Sequence, residues 1–173
     1  MPKKKNIKKT TKEKKYVRPS WDEYFISIAE LAGTRGTCER GRSGCVIVRD
    51  RRILCTGYVG SPAGLNHCDD IGHEMHTVTN EDGTTSRHCI RTTHAEQNAI
   101  ANAARLGIAL DGAMLYAHMT PCYTCAKMLI NAGIKRVVVK FDYHTSRRSK
   151  EIFDEAGIAF ELLNNETEKY EDM

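Results

Sequence analysis

The chain contains no run of about 18 apolar residues, so nothing in it is expected to span a membrane. Residues 1–18 lack the apolar core of a secretory signal, and no leader of that kind is expected there. No internal repeat is present, which sets aside solenoids and propellers. Aromatic residues are few: one Trp, four Phe and seven Tyr leave little material for the basic, aromatic-lined channel that follows single-stranded nucleic acid. Cysteine is not scarce. Seven of them in a chain of 173 residues without a signal argue for metal-binding and core positions in a reducing cytoplasm, because disulfide frameworks belong to small secreted domains. The length fits one domain.

Charge is unevenly placed. The formal net charge is +4, but residues 1–18 alone carry +8, leaving −4 for the remainder. Residues 1–18 are therefore expected to be a disordered, solubilising tail, with weak attraction to nucleic acid or polyphosphate as the lesser alternative. The organisation expected is this tail, a domain over residues 19–165, and a short C-terminal tail over 166–173.

The residues that carry chemistry are His94-Ala95-Glu96 and Pro121-Cys122-Tyr123-Thr124-Cys125. One imidazole and two thiolates can hold zinc with a fourth tetrahedral position left open, and zinc in such a site lowers the pKa of water toward ~7. Glu96 is then free to move protons. The spacing matches H-x-E…P-C-x-x-C, the zinc-deaminase signature in which Glu acts as general acid and base and is not a ligand. On a regular helix, residues two apart point about 200° away from each other. His94 is therefore expected in the non-helical entry to a helix running from about Ala95 to Leu106. Pro121 is expected at the first helical position of the cysteine helix, with Thr120 as its cap. Other readings of the same residues are available. Thr93-x-x-Glu96 fits a capping box in which Glu96 only closes the helix start. A lone C-x-x-C can also be a redox pair or half of a structural zinc site.

Behind Ser20, the residues Trp21, Tyr24, Phe25, Ile28, Ala29 and Leu31 follow helical spacing. Cys45–Val48 and Ile53–Thr56 read as a hairpin around Asp50-Arg51-Arg52, with Cys45 and Cys55 as core thiols. Strands are expected at Met114–Ala117, Val137–Lys140 and Ile158–Leu162, and a further helix near Ser149–Ala156. A hairpin followed by alternating helices and strands implies an α/β fold, a three-layer α/β/α sandwich around a mixed five-stranded sheet. The stretch from Leu65 to Thr92 fits none of these elements, and a loop of that length inside a compact domain requires something to order it. A second, structural zinc would do so, with Cys38 joining Cys68 and His88 or Cys89. Solvated histidines and a buried free thiol are the alternative, and His73 and His76 are expected to be plain surface residues.

Beyond the ligands, Ser20-Trp21-Asp22-Glu23-Tyr24-Phe25, the loop Gly57–Gly64, His88-Cys89-Ile90-Arg91-Thr92-Thr93-His94-Ala95-Glu96-Gln97-Asn98-Ala99-Ile100, and Cys125-Ala126-Lys127-Met128 through Gly133-Ile134 resemble the deoxycytidylate deaminase family. The resemblance runs from about Ser20 to Leu162. It implies the cytidine deaminase-like fold, a catalytic zinc on His94, Cys122 and Cys125, and conversion of dCMP to dUMP and ammonia, feeding thymidylate synthesis. It also implies a structural zinc at positions matching Cys38, Cys68 and His88, with the fourth ligand open. Other implications are a homo-oligomer, hexamer or dimer, and allosteric response to dCTP and dTTP. In this chemistry activated water attacks C4 of cytosine while Glu96 protonates N3 and then the leaving amine, with the backbone N–H of Ala95 meeting the O2 carbonyl.

The Gly57–Gly64 loop contacts nucleotide in that family, which brings in Val59 and Ser61. Val59 replaces a usual Asn and so removes a side chain able to hydrogen-bond the sugar. Thr120 likewise stands where an apolar aromatic residue is common in that family. The substrate phosphate needs positive charge or helix-start amides, for which Arg91, Arg147, Arg148 and Lys150 are candidates. Tyr143 is expected to line the pocket mouth. Two other enzyme readings stay open: another cytosine nucleotide such as dCTP or CMP, and a base in RNA or single-stranded DNA. A non-enzymatic, zinc-stabilised interaction module is the third.

Overall fold

The computed structural model describes residues 16–79, 83, 85–164 and 166–168. The basic tail expected at 1–18 lies outside the described residues except for its last three.

Helix α1 (Trp21–Gly33) begins at Ser20, where a reciprocal capping box forms: the Glu23 backbone N–H donates to Ser20 Oγ at 3.2 Å and the Ser20 N–H donates to the Glu23 carboxylate at 2.7 Å. Strands β1 (Gly44–Arg49) and β2 (Arg52–Tyr58) form the expected hairpin. Its turn residues Asp50 and Arg51 have φ of 51° and 60°, the left-handed pair that matches the twist of a two-residue hairpin. Helix α2 (Cys68–Ile71) and a second hairpin, β3 (Met75–Thr79) with β4 (Thr85–Cys89), follow. Then come α3 (Ala95–Leu106), β5 (Met114–Met119), α4 (Tyr123–Asn131), β6 (Arg136–Tyr143), α5 (Arg147–Glu155), β7 (Ala159–Leu162) and the two-residue β8 (Thr167–Glu168).

The main sheet has the order β2-β1-β5-β6-β7, with β1 antiparallel to both neighbours and β5, β6 and β7 parallel. This is the mixed five-stranded sheet the sequence implies, and β8 adds a short parallel pairing at the end of β6, within the segment expected to be a C-terminal tail. The alternation of side chains along β1 divides the core. Val46 and Val48 face α1 and pack with Phe25, Ile26, Ala29, Tyr116 and Val138. Cys45 and Ile47 face the opposite layer, with Ala99, Leu115, Ala126, Leu129, Val137, Val139 and Phe153. The sheet therefore lies between α1 on one side and α3, α4 and α5 on the other. Among the described residues no helix is long and apolar enough to cross a membrane.

Two expectations need correction. The Leu65–Thr92 stretch is not a structureless loop: it contains α2 and the β3–β4 hairpin, whose register pairs His76 with His88 and Met75 with Cys89. Its residues are largely exposed Thr, His and Arg, so the strands carry no apolar alternation to reveal them. The cap of α4 is Cys122, in extended conformation at φ −65° and ψ 164°, and not Thr120; Pro121 precedes the cap. Strand β5 runs on to Met119, which places Thr120 between strand and turn.

Candidate active site

The two chemical motifs meet where α3 and α4 begin, α4 following the central strand β5. His94 is the N-cap of α3, with φ −69° and ψ 157°, so its side chain leaves the helical direction just before Ala95. Glu96 lies in the first turn and is 8 % exposed. Close packing of α3 on β2 fixes this helix start: a Cβ at Gly57 would lie 2.0 Å from the Ala95 carbonyl oxygen, so no other residue fits there. Gly60 and Thr93 exchange backbone hydrogen bonds at 3.2 and 2.9 Å, which draws the Gly57–Gly64 loop up beside His94.

His94 Nδ1 lies 3.5 Å from Cys122 Sγ and 3.5 Å from Cys125 Sγ. Tetrahedral zinc with Zn–N and Zn–S bonds of about 2.05 and 2.3 Å separates nitrogen from sulfur by about 3.6 Å, so these three side chains already stand at zinc-ligand spacing. Their protons are interdependent: Cys122 and burial push the Cys125 thiol well up, so a bound metal would displace a proton from Cys125 and from His94. The Cys122 thiol is pulled down to about 4 by its hydrogen bond with Cys125 and then by His94, which favours the thiolate. Contact with Cys122 raises His94 to about 9 in turn. Glu96 is raised above the usual carboxylate range by burial, and its carboxyl group approaches Cys125.

A second group lies under the β3–β4 hairpin. Cys38 Sγ is 3.6 Å from His73 Nδ1, Cys68 Sγ is 3.6 Å from Cys89 Sγ, and all four ligand atoms fall within 4.8 Å of one another. His73 Nε2 lies 3.5 Å from the Glu39 carboxylate, the outer-shell partner that orients many metal-bound histidines. The structure thus brings Cys38, Cys68 and Cys89 together and puts His73 with them, where sequence reasoning had His88. The reason is strand geometry. Successive residues on β4 point to opposite faces, so with Cys89 in the cluster its neighbour His88 faces away. His88 Nε2 meets Ser86 Oγ at 2.8 Å, and burial, then the charges of His94 and Arg40, keep its imidazole below its ordinary pKa.

The residues considered for substrate are distributed as follows. Ala95 opens α3, so its N–H is one of the first-turn donors without an intrahelical acceptor. Val59 packs, partly buried, against the core. Ser61 Oγ is buried and has no hydrogen-bond partner among the described residues. Tyr143 is buried against His144, with ring centroids 4.4 Å apart. Arg91 lies 3.6 Å from Glu74, Arg147 pairs with Glu151, Lys150 pairs with Asp142, and Arg148 stacks 4.3 Å over Tyr123. Sequence reasoning missed Arg40 and His144, which stand close to His88, with Arg40 also close to Tyr143. They belong to three separate segments, and no local pattern joins them.

Residues 19–141 match the cytidine and deoxycytidylate deaminase zinc-binding region. The chain is 42 % identical to ComE operon protein 2 of Bacillus subtilis over 84 % of this chain and 72 % of that one. It is 40 % identical to the deoxycytidylate deaminase of Mycobacterium phage D29 over 70 % of this chain and 94 % of that one. To the deoxycytidylate deaminase of Saccharomyces cerevisiae it is 37 % identical over 82 % of its length, and it spans only 44 % of that longer protein. The crystal structure of dCMP deaminase from cyanophage S-TIM5 in complex with dCMP and dUMP aligns with a TM-score of 0.67 and 29 % identity, covering 85 % of this chain and 99 % of that one. With its donor geometry and matching sequence over most of its length, the chain belongs to the cytidine and deoxycytidylate deaminase zinc-binding family.

Proposed function

We propose that this protein catalyses the hydrolytic deamination of dCMP to dUMP and ammonia, with one zinc held by His94, Cys122 and Cys125 and with Glu96 as the proton carrier. The observation that carries the proposal is a buried carboxyl group, Glu96, beside three ligand atoms at zinc spacing, with the His94 N–H taken by Gln97. The named activity of the relatives, and the dCMP and dUMP bound by the cyanophage enzyme, support the choice of nucleotide. Zinc at this site supplies Lewis acidity that makes water a nucleophile near neutral pH. Burial keeps the Glu96 carboxyl group able to hold a proton, which it delivers to N3 and later to the departing amine. The N–H of Ala95 donates to the O2 carbonyl and orients the ring. Tyr143 lines the mouth, and the Val59–Ser61 loop borders the sugar.

Arg40 supplies positive charge for the 5′-phosphate, with the uncharged ring of His88 beside it; Arg91 is a further candidate whose charge is shared with Glu74. Cys38, Cys68, His73 and Cys89 hold a second zinc, and four protein ligands close that site and make it structural. The family resemblance supports a cytoplasmic homo-oligomer, hexamer or dimer, responsive to dCTP and dTTP.

The test is ammonia release from dCMP, dCTP, CMP, deoxycytidine and a cytosine-containing oligonucleotide, each with and without dCTP and dTTP. Preference for dCMP is the expected result. Preference for the oligonucleotide rejects the proposal in favour of a polynucleotide deaminase.

A further inference from the structure

Asp142 lies at the end of β6, on a strand next to the one that leads into the zinc-cysteine turn. A single oxygen of its carboxylate, Oδ1, accepts three hydrogen bonds: from Thr120 Oγ1 at 2.9 Å, from the Tyr143 backbone N–H at 2.9 Å, and from Ser146 Oγ at 2.7 Å. The other oxygen accepts from Lys150 Nζ at 2.6 Å. Thr120 is 4 % exposed and is two residues from Cys122; its N–H donates to the Phe141 carbonyl at 3.1 Å, so strand pairing continues up to the turn. Ser146 caps the approach to α5, and its N–H donates to the Tyr143 carbonyl at 2.9 Å. One carboxylate thus joins the turn that presents Cys122, the turn that presents Tyr143 and His144, and the first turn of α5. Burial works against the charge on Asp142, but hydrogen bonds from Lys150, Ser146 and Thr120 outweigh it and hold the carboxyl group below its ordinary range.

We propose that Asp142 is a positioning residue which, through Thr120, fixes the Cys122 turn relative to the Tyr143–His144 turn, and so sets where a metal on Cys122 stands with respect to the pocket mouth. Cys122 is the less buried of the two candidate zinc thiols, so the placing of its turn decides where the ligand atom stands. The charge at Cys122 is felt at Tyr143, so the two turns stand close enough for their spacing to matter. Thr120 has the right chemistry for the link, since a buried hydroxyl must find an acceptor and Asp142 provides it. An apolar side chain at this position would fill the space without tying the two turns together.

The inference rests on the metal and substrate reading above, and the experiment separates the two. Full-length protein carrying Co²⁺ in the catalytic site reports thiolate geometry through its absorption spectrum, independently of any substrate. Thr120→Val removes the hydroxyl at nearly constant volume, Thr120→Ser retains it, and Asp142→Ala removes the acceptor. The expected result is that Thr120→Val and Asp142→Ala shift the cobalt–thiolate bands and lower kcat for dCMP on the order of tenfold with little change in KM, while Thr120→Ser restores both. Wild-type spectrum and kcat in Thr120→Val overturn the proposal, as does equal loss in Thr120→Ser, which indicates packing alone. Should Asp142→Ala fail to fold, the Thr120 pair decides alone. A wild-type enzyme inactive on dCMP refutes the substrate reading, and the cobalt spectra still decide this one.

Discussion

Gln97 accepts the backbone N–H of His94 on its side-chain oxygen at 3.1 Å, so the residue next to Glu96 closes the first turn of α3. Capping and proton transfer are thereby divided between neighbours. The helix start is satisfied by an amide that does not titrate, and the adjacent carboxyl group is left to face the cysteines, where burial raises its pKa. The alternative in which Glu96 merely caps the helix from Thr93 is overturned by this bond.

The two residues are therefore separable by mutation. Glu96→Gln is expected to keep its zinc and melting temperature while losing several orders of magnitude in kcat, because the amide cannot carry the protons that the buried carboxyl group does. Gln97→Ala should do the reverse, costing about 0.5–2 kcal/mol of stability as a lost cap with little loss of kcat. Zinc analysis, thermal melts and ammonia release on the two variants check this. Near-normal turnover in Glu96→Gln would remove Glu96 from the mechanism.

The second cluster makes a stoichiometric prediction. Purified protein should hold two zinc ions per chain, and His73→Ala or Cys38→Ser should hold one and melt several degrees lower, since a closed structural site contributes its binding energy to folding. His88→Ala should still hold two, because its ring lies on the other face of β4. Two ions in His73→Ala, or one in His88→Ala, would exchange the ligand assignments.

The grouping of His94, Cys122 and Cys125 was legible because these residues sit at short, fixed separations in two local motifs, and the sandwich was legible because β1, β5 and β6 are rich in buried apolar residues. The second site was only half legible. Cys38, Cys68 and Cys89 could be grouped as thiols in search of a partner, but choosing between His73 and His88 requires knowing that residues 85–89 form a strand, and a strand of Thr, Ser, Arg, His and Cys has no apolar period to announce it. The Asp142 hub and the Arg40–His88–His144 group were not legible at all. Each is assembled from segments far apart in sequence, by a register that only the folded sheet sets.

Acid sensitivity should centre on Asp22. Arg136 donates to both Asp22 oxygens at 2.8 Å and to Glu161 at 2.7 and 2.6 Å, and Tyr116 donates to Asp22 at 2.7 Å, which joins α1 to β5, β6 and β7. Arg136 holds Asp22 below its ordinary 3.8 and Glu161 below its ordinary 4.5. A depressed carboxylate stabilises the fold above its unfolded pKa and ceases to do so as pH falls through the folded value. The contribution should accordingly be complete near pH 5–6 and fade below about 4. Asp22→Asn should lower stability at pH 7 by about 1 kcal/mol, a modest figure because the pair is partly solvated. The difference from wild type should shrink as the pH falls toward 3. A difference that stays constant down to pH 3 would show that the loss is one of packing.

Phosphate recognition is separable from base chemistry by comparing substrates. Arg40 reaches the Arg87 carbonyl at 3.4 Å, and its charge is felt at both His88 and Tyr143, so it stands between the β3–β4 hairpin and the Tyr143 turn. A dianionic phosphate beside Arg40 and His88 would meet a guanidinium and an imidazole from two separate segments. Arg40→Gln should therefore lower kcat/KM for dCMP on the order of 10–100-fold, chiefly through KM, and leave the weak reaction with deoxycytidine unchanged. His88→Ala should show the same pattern to a lesser extent, with its zinc content intact. Equal losses on dCMP and deoxycytidine would assign Arg40 to the architecture of the hairpin, and an effect confined to Arg91→Gln would move the phosphate to the other side of the loop.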